Sequence, residues 1–304
     1  MLTVLVAFAA NLVIALAKSF AAALTGSASM LAEAAHSWAD TGNEIFLIIA
    51  ERRGDQPADS SHPLGYGKEA YVWSLFAAVG LLTAGAAVSV LHGIQELSAG
   101  EGSGDFTINY VVLAVAFVFE GISFLQALRS TRGKARRADV HPLRFINRTS
   151  DPTLRAVFFE DSAALLGLVI AAAGVGLHQA TGEAVWDAIG SILVGLMLGG
   201  VATFLVNRNR EFLVGEAIGG PIRQRALRAL LDNPAIVKVT YLHLEFVGPE
   251  KLFVVASIDL GGDDRESVLA VRLQEIEDDV RQHAMIETAV LSLSLPDEEP
   301  LVPG

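Results

Sequence analysis

Residues 31–50 read LAEAAHSWADTGNEIFLIIA. A helix of this length spans about 30 Å, the hydrocarbon thickness of a bilayer. It nevertheless carries Glu33, His36, Asp40 and Glu44. Side chains at i, i+4 and i+8 stack on one helix face, so His36, Asp40 and Glu44 form a polar stripe, with Glu33 a turn before His36. Ionisable groups inside a membrane helix are costly and face a protein interior, where they serve a pathway or a site. An imidazole and a carboxylate one turn apart also have the spacing at which two side chains grip one divalent metal. The competing reading is an interhelical hydrogen-bond seam.

Working outward, the chain of 304 residues is 52% hydrophobic and only 18% charged. Its mean hydropathy is +0.46. This is too apolar for an ordinary soluble domain and fits a polytopic membrane protein with a soluble portion. Cysteine is absent, which excludes disulfides and thiolate metal sites. A metal must then be held by imidazole, carboxylate or carbonyl groups, which favours borderline and hard divalent ions over Cu(I). The net charge is −12, and from Glu211 onward 17 acids face 8 basic residues, which places −9 of it there. An acidic tail domain argues against a nucleic-acid partner.

Six apolar segments have spanning length, near 4–25, 31–50, 70–92, 108–128, 155–177 and 186–206. The run 2–23 lacks a basic start and contains Asn11 and Lys18, so it reads as a first membrane helix rather than a cleaved leader. The loops sort by charge. Arg52, Arg53 and Lys68 lie in the second-to-third loop, eight basic residues lie within 129–155, and Arg208 and Arg210 follow the last span. The other loops hold no Lys or Arg, including one marked by Gly100, Gly102 and Gly104. This asymmetry places the basic loops in the cytoplasm, and six spans put both termini there as well. The expected location is a plasma (inner) membrane. The basic fourth-to-fifth loop either only fixes orientation or also meets anionic lipid.

Beyond Arg210 the pattern changes. Residues 221–231 read as a helix with Ile222, Ala226 and Leu230 inward, and Leu242, Leu244 and Phe246 alternate with polar residues as a strand. A second alternating run follows the Gly248-Pro249 turn, and 263–283 is an amphipathic helix with Leu269, Leu273, Ile276 and Val280 on its core stripe. Leu291, Leu293 and Leu295 alternate with serines in a last strand. The order αββαβ gives a small α+β, ferredoxin-like sandwich. The expected organisation is a six-helix membrane domain over 1–206, an α+β dimerisation domain over 207–296 and a disordered tail over 297–304.

Other chemistry-bearing residues follow the same logic. Asn11 and Lys18 lie seven residues apart on one face of the first helix. Lys18 either neutralises a carboxylate of the second helix or snorkels to an interface. The fifth helix carries Glu160 and Asp161 about two turns inside its start, and a cation shared with His36 and Asp40 would satisfy both acids. Imidazole and carboxylates bind protons as well as metal, so the two compete, which is the basis for exchanging one against the other. Glu120 in the fourth helix is a further buried acid, as proton relay or hydrogen-bond partner.

AEAAHSWADTGNE over 32–44 resembles the second-helix HxxxD signature of the cation diffusion facilitator family. SHPLGYGKEAYVW over 61–73 resembles that family's HPxGYGKE loop, and EDSAALLG over 160–167 and the D-x-x-x-S-I pattern from Asp187 also match. The EDSAALLG form is similar to the branch containing zinc transporter nine. The resemblance covers essentially the whole chain. It implies a homodimeric exporter of divalent metal, usually zinc, coupled to proton influx by alternating access. It implies no enzyme activity and no cofactor beyond the transported ion.

Carried over, the transport site holds His36, Asp40 and Asp161. The family's other fifth-helix ligand falls on Val157, which cannot bind metal, and Glu160 is the nearest substitute. Zn²⁺ is the first choice because imidazole with carboxylates suits it, with Mn²⁺, Fe²⁺ and Co²⁺ as alternatives. Some members bind metal in the second-to-third loop. Asp59 and His62 match that secondary site, but Tyr66 stands in place of a second histidine. The positions of the soluble-domain metal site hold Tyr241, Ser257 and Leu293, so dimerisation without a binuclear site is expected. A membrane metalloenzyme is the reading from another class. It would need HExxH or several histidine boxes, and the chain has 7 His and no such box.

Overall fold

A computed structural model describes residues 2–99, 106–215 and 218–303. The glycine-marked loop at 100–104 lies outside the described residues. The chain divides into two compact units, residues 1–51 with 72–210, and residues 52–71 with 211–304.

The first unit is helical. Its long helices are α1 (Leu2–Thr25), α2 (Ala28–Gly54), α3 (Glu69–Gly80) continued by α4 (Val88–Ala99), α5 (Phe106–Arg137), α7 (Pro152–Thr181) and α8 (Val185–Val214), with a short α6 (Pro142–Arg148) before α7. A π-helical segment, Leu81–Ala87, joins α3 to α4. Among the described residues, four helices are long and apolar enough to cross a membrane: Glu69–Ser98, Phe106–Arg137, Pro152–Thr181 and Val185–Val214. In α1 the apolar stretch Asn11–Thr25 is shorter, and α2 is made too polar by its acidic stripe. The sequence foresees neither α6 nor the π segment.

Local signals set the helix ends. Asp151 accepts a hydrogen bond from the Leu154 backbone N–H, with Pro152 opening α7. Gly182, at φ 75°, ends α7 in the left-handed conformation that glycine adopts without a Cβ clash. Inside the bundle, small residues bring helices together where no aqueous hydrophobic force acts. A Cβ on Gly190 would lie 2.6 Å from Ser29 Oγ, and one on Gly174 2.9 Å from the same atom, so α2, α7 and α8 meet tightly there. Ala32, Ala39, Leu81, Val194 and Leu198 form one buried cluster, and Ile14, Met30, Leu113 and Leu168 belong to another.

The second unit holds α9 (Gly220–Leu231), β1 (Ile236–Gly248), β2 (Lys251–Leu260), α10 (Glu266–Arg281) and β3 (Ile286–Leu293). This is the expected αββαβ order. The sheet order is β1-β2-β3, with β1 and β2 antiparallel and β2 and β3 parallel. The parallel pair needs a crossover, which α10 supplies. Leu227, Leu230, Val239, Leu242, Leu244, Val254, Ala256, Ile258, Ile276, Ala289 and Leu291 form its core. Each buried Leu, Val or Ile among them contributes about 1.5–3 kcal/mol.

Two expectations need correction. The last strand starts and ends earlier than its serine alternation suggests. It buries Ala289 and Leu291, whereas Leu293 and Leu295 are exposed. The segment after Pro296 is not loose either. Leu301 N–H donates to the Val239 carbonyl, Thr240 Oγ1 donates to Glu298, and Lys238 Nζ donates to the Pro296 and Glu298 carbonyls. Acidic composition alone suggests disorder, but these bonds tie the tail to β1.

Candidate metal centre

The polar stripe of α2 is buried. His36 is fully buried, and its Nε2 lies 3.4 Å from Asp40 Oδ2, with the Asp40 side chain 17% exposed. The pair is not in hydrogen-bonding geometry, and both ring nitrogens of His36 lack a partner. Asp40 Oδ1, Ser37 Oγ, Asn43 Oδ1 and Glu44 Oε2 are likewise buried without a partner. A buried polar atom left unpaired costs about 1–3 kcal/mol. Such a concentration on one helix calls for something else to satisfy it, an ion, protons or water.

Two helices face this stripe. From α7, Glu160 accepts a short hydrogen bond from the Asn43 carboxamide, while its Oε1 is buried and unpartnered. Its neighbour Asp161 accepts from Ser123 Oγ of α5 at 2.8 Å. Asp40 lies within electrostatic range of Glu120, Glu160, Asp161 and Lys18. So the structure brings His36 and Asp40 together and sets Glu160 and Asp161 around them on other partners. Among the described residues no three His, Asp or Glu side chains converge tightly enough to hold one ion. Each of the two acids commits one carboxylate oxygen, Glu160 Oε2 to Asn43 and Asp161 Oδ2 to Ser123. Val157 packs beside the apolar cluster of Leu47, Ala78, Ala156 and Leu205, so it takes no part.

The remaining charges settle nearby. Lys18 Nζ pairs with Glu33 Oε2 at 2.9 Å with neither side chain exposed. That resolves the two readings of Lys18 in favour of a second-helix carboxylate. Asn11 Nδ2 donates to Glu44 Oε1 at 2.9 Å.

Residues 4–214, more than half of the chain, match the cation efflux transmembrane domain. The chain belongs to the cation diffusion facilitator family. Metal tolerance protein C4 of Arabidopsis thaliana is 36% identical over 233 residues, 77% of this chain and 51% of that relative. The mitochondrial proton-coupled zinc antiporter SLC30A9 of Homo sapiens is 34% identical over 238 residues, 78% of this chain and 42% of that relative. The magnetosome protein MamB of Magnetospirillum gryphiswaldense is 23% identical over 283 residues, 90% of this chain and 88% of that relative. The chain spans about half the length of the first two relatives. The family consists of integral membrane transporters, not enzymes.

The secondary loop site of this cation efflux protein looks different. Asp59 and His62 do lie together, with His62 Nδ1 3.6 Å from Asp59 Oδ1, both about half exposed. But Tyr66 OH donates to Asp59 Oδ2 at 2.8 Å, and the Ser61 and His62 backbone N–H groups donate to Oδ1, each at 2.8 Å. The Tyr66 hydroxyl, then the His62 backbone, hold the Asp59 carboxyl below its usual range. The carboxylate already has three donors, and the tyrosine occupies the side a cation would use.

Sequence reasoning missed Asn43 and Ser123 as partners of the fifth-helix acids. Asn43 is detectable in principle. It stands seven residues after His36, on the same helix face. Ser123 carries no signal beyond its residue type.

Proposed function

We propose that this chain exports a divalent metal cation, Zn²⁺ first, in exchange for protons by alternating access. His36, Asp40 and Asp161 hold the ion, and Glu160 completes the shell. The observation that carries this reading is the set of buried, unpartnered acceptors on His36, Asp40 and Glu160 inside a membrane bundle. Acceptors of this kind bind either a dication or protons, so loading one expels the other. The donor set suits Zn²⁺, and a relative of similar sequence is named a proton-coupled zinc antiporter.

In the described state Glu160 and Asp161 are held by Asn43 and Ser123. Loading is the step in which the carboxylate oxygens not held by Asn43 and Ser123 close on an ion shared with His36 and Asp40. The chain works as a homodimer in a plasma (inner) membrane, and the loop charges support both termini in the cytoplasm. The test is zinc flux into proteoliposomes with and without an opposing proton gradient. An exporter of this kind moves zinc only against protons. Flux indifferent to the gradient removes the antiport reading. Competition by Mn²⁺, Fe²⁺ and Co²⁺ ranks the cargo.

A further inference from the structure

A second polar convergence lies away from the α2 stripe. At the end of the helical unit where α1 gives way to α2, a cavity of about 10 Å³ is lined by Thr25, Ser27, Glu96, Asn109, His178 and Asp187, among others. That is room for about one water or one bare divalent ion. By the charge asymmetry of the loops this is the outer end of the bundle. The D-x-x-x-S-I pattern beginning at Asp187 has no role in the site described above.

The lining chemistry is rich in oxygen and nitrogen acceptors. Asn109 is 1% exposed, and its carboxamide Oδ1 has no partner. Asp187, 3% exposed, uses Oδ1 to accept from the Ser29 backbone N–H at the start of α2, while its Oδ2 accepts no hydrogen bond among the described residues. Capping the helix therefore occupies only one of its two oxygens. The His178 ring meets the edge of Phe106 at 5.2 Å and makes no hydrogen bond among the described residues. Glu96 is half-buried without a hydrogen bond among them. The Thr25 hydroxyl proton is committed to the Ala21 carbonyl. Two carboxylates, an imidazole and an amide oxygen thus meet in a space that no Lys or Arg lines. Such an acceptor-rich, negatively charged cavity selects a cation.

We infer that this cavity is a low-affinity way station for the divalent cation at the exit end of the transport path, with Asp187, Asn109, His178 and Glu96 as its donors. The inference rests on the transport reading above. A neutral amide oxygen, an imidazole and two carboxylates spread over four helices bind a dication loosely, which suits release. No three of the acidic and imidazole groups are tightly clustered, so Asn109 is needed to complete the shell. Asn109 is also where an unpaired buried oxygen is otherwise unexplained.

The test uses full-length protein carrying Asp40→Ala and Asp161→Ala, which removes the central site. It is purified in detergent and titrated with Co²⁺ by equilibrium dialysis, and the same protein is assayed for zinc flux. The expected result is lost flux with one weakly bound Co²⁺ retained per chain. Adding Asn109→Ala, Glu96→Gln or Asp187→Asn weakens that retained binding about tenfold or more, the scale on which single supporting groups act at metal sites. Asp187→Asn keeps an oxygen to cap Ser29, so it tests binding without removing the cap. His178→Gln changes the visible spectrum of bound Co²⁺ by removing its nitrogen ligand. No retained Co²⁺, or retained Co²⁺ indifferent to all four substitutions, leaves a water only in the cavity and overturns the way station. Neither outcome touches the central site, whose failure appears separately, as flux that survives Asp40→Ala and Asp161→Ala.

Discussion

Lys18 Nζ lies 2.9 Å from Glu33 Oε2, and both side chains are fully buried. The other oxygen of Glu33 is held so close to α7 that a Cβ on Gly167 would lie 2.5 Å from it. Truncating one member of a buried pair leaves an uncompensated charge, at a cost of about 3–5 kcal/mol, whereas replacing both is far milder. Lys18→Met alone should therefore lower the melting temperature sharply in detergent, and Lys18→Met with Glu33→Gln should recover most of the loss. Equal melting of the single and double variants would show that the two groups are not energetically linked.

Zinc flux separates the central residues. Asp40→Ala and Asp161→Ala should each reduce it about tenfold or more, with expression unchanged. Glu160→Gln is the more informative change, because it keeps a group that can bond with Asn43 while removing the charge. Altered metal preference or lost flux identifies Glu160 as a ligand. Wild-type flux and selectivity mean that water completes the shell.

The stripe on α2 and the αββαβ order were readable because helical and strand periodicities report which face is buried. Periodicity does not name the partner across that face. Nothing in the sequence says that Glu160 rests on Asn43 or Asp161 on Ser123, since both contacts depend on how α2, α5 and α7 are set against each other. The π segment Leu81–Ala87 is similarly tertiary in origin. Gly85 within it faces Leu198 and Ala39, and Ser89 Oγ donates to the Gly85 carbonyl at 2.7 Å. The loop 52–71 reads as a simple connector between spans, yet it packs in the same unit as the β domain. Its tightest contact, Gly67 against Val247 and Gly248, is between backbones, which composition does not encode.

Tyr66 governs the loop site. Tyr66→Phe should let the Asp59 carboxyl rise toward its ordinary value of about 3.9, followed by carbon NMR of the labelled aspartates. The sign is that of a depressed acid. Whatever the interaction contributes is present above the ordinary carboxylate range and fades as the pH falls through the lowered value. Tyr66→His should go further and create Co²⁺ binding with Asp59 and His62, because it replaces the competing hydroxyl with a ligand. Calorimetric titration showing no added site in that variant would mean that the backbone N–H groups on Asp59, not Tyr66, block the position.

Gly67 is the tightest backbone approach in the second unit. A Cβ there would lie 2.5 Å from the Val247 carbonyl oxygen and 2.6 Å from the Gly248 Cα. Both are main-chain atoms at the β1–β2 turn, so no side chain can rotate away. Gly67→Ala must push the loop off the turn, at about 1–3 kcal/mol for overpacking of this kind. The neighbouring Lys68–Glu245 ion pair, 2.8 Å long with Lys68 41% exposed, is screened by solvent and worth about 1 kcal/mol or less. Trypsin should therefore cut at Arg52 and Arg53 much faster in Gly67→Ala than in Lys68→Ala. Equal cleavage rates would mean that the ion pair, rather than the backbone contact, holds the loop in place.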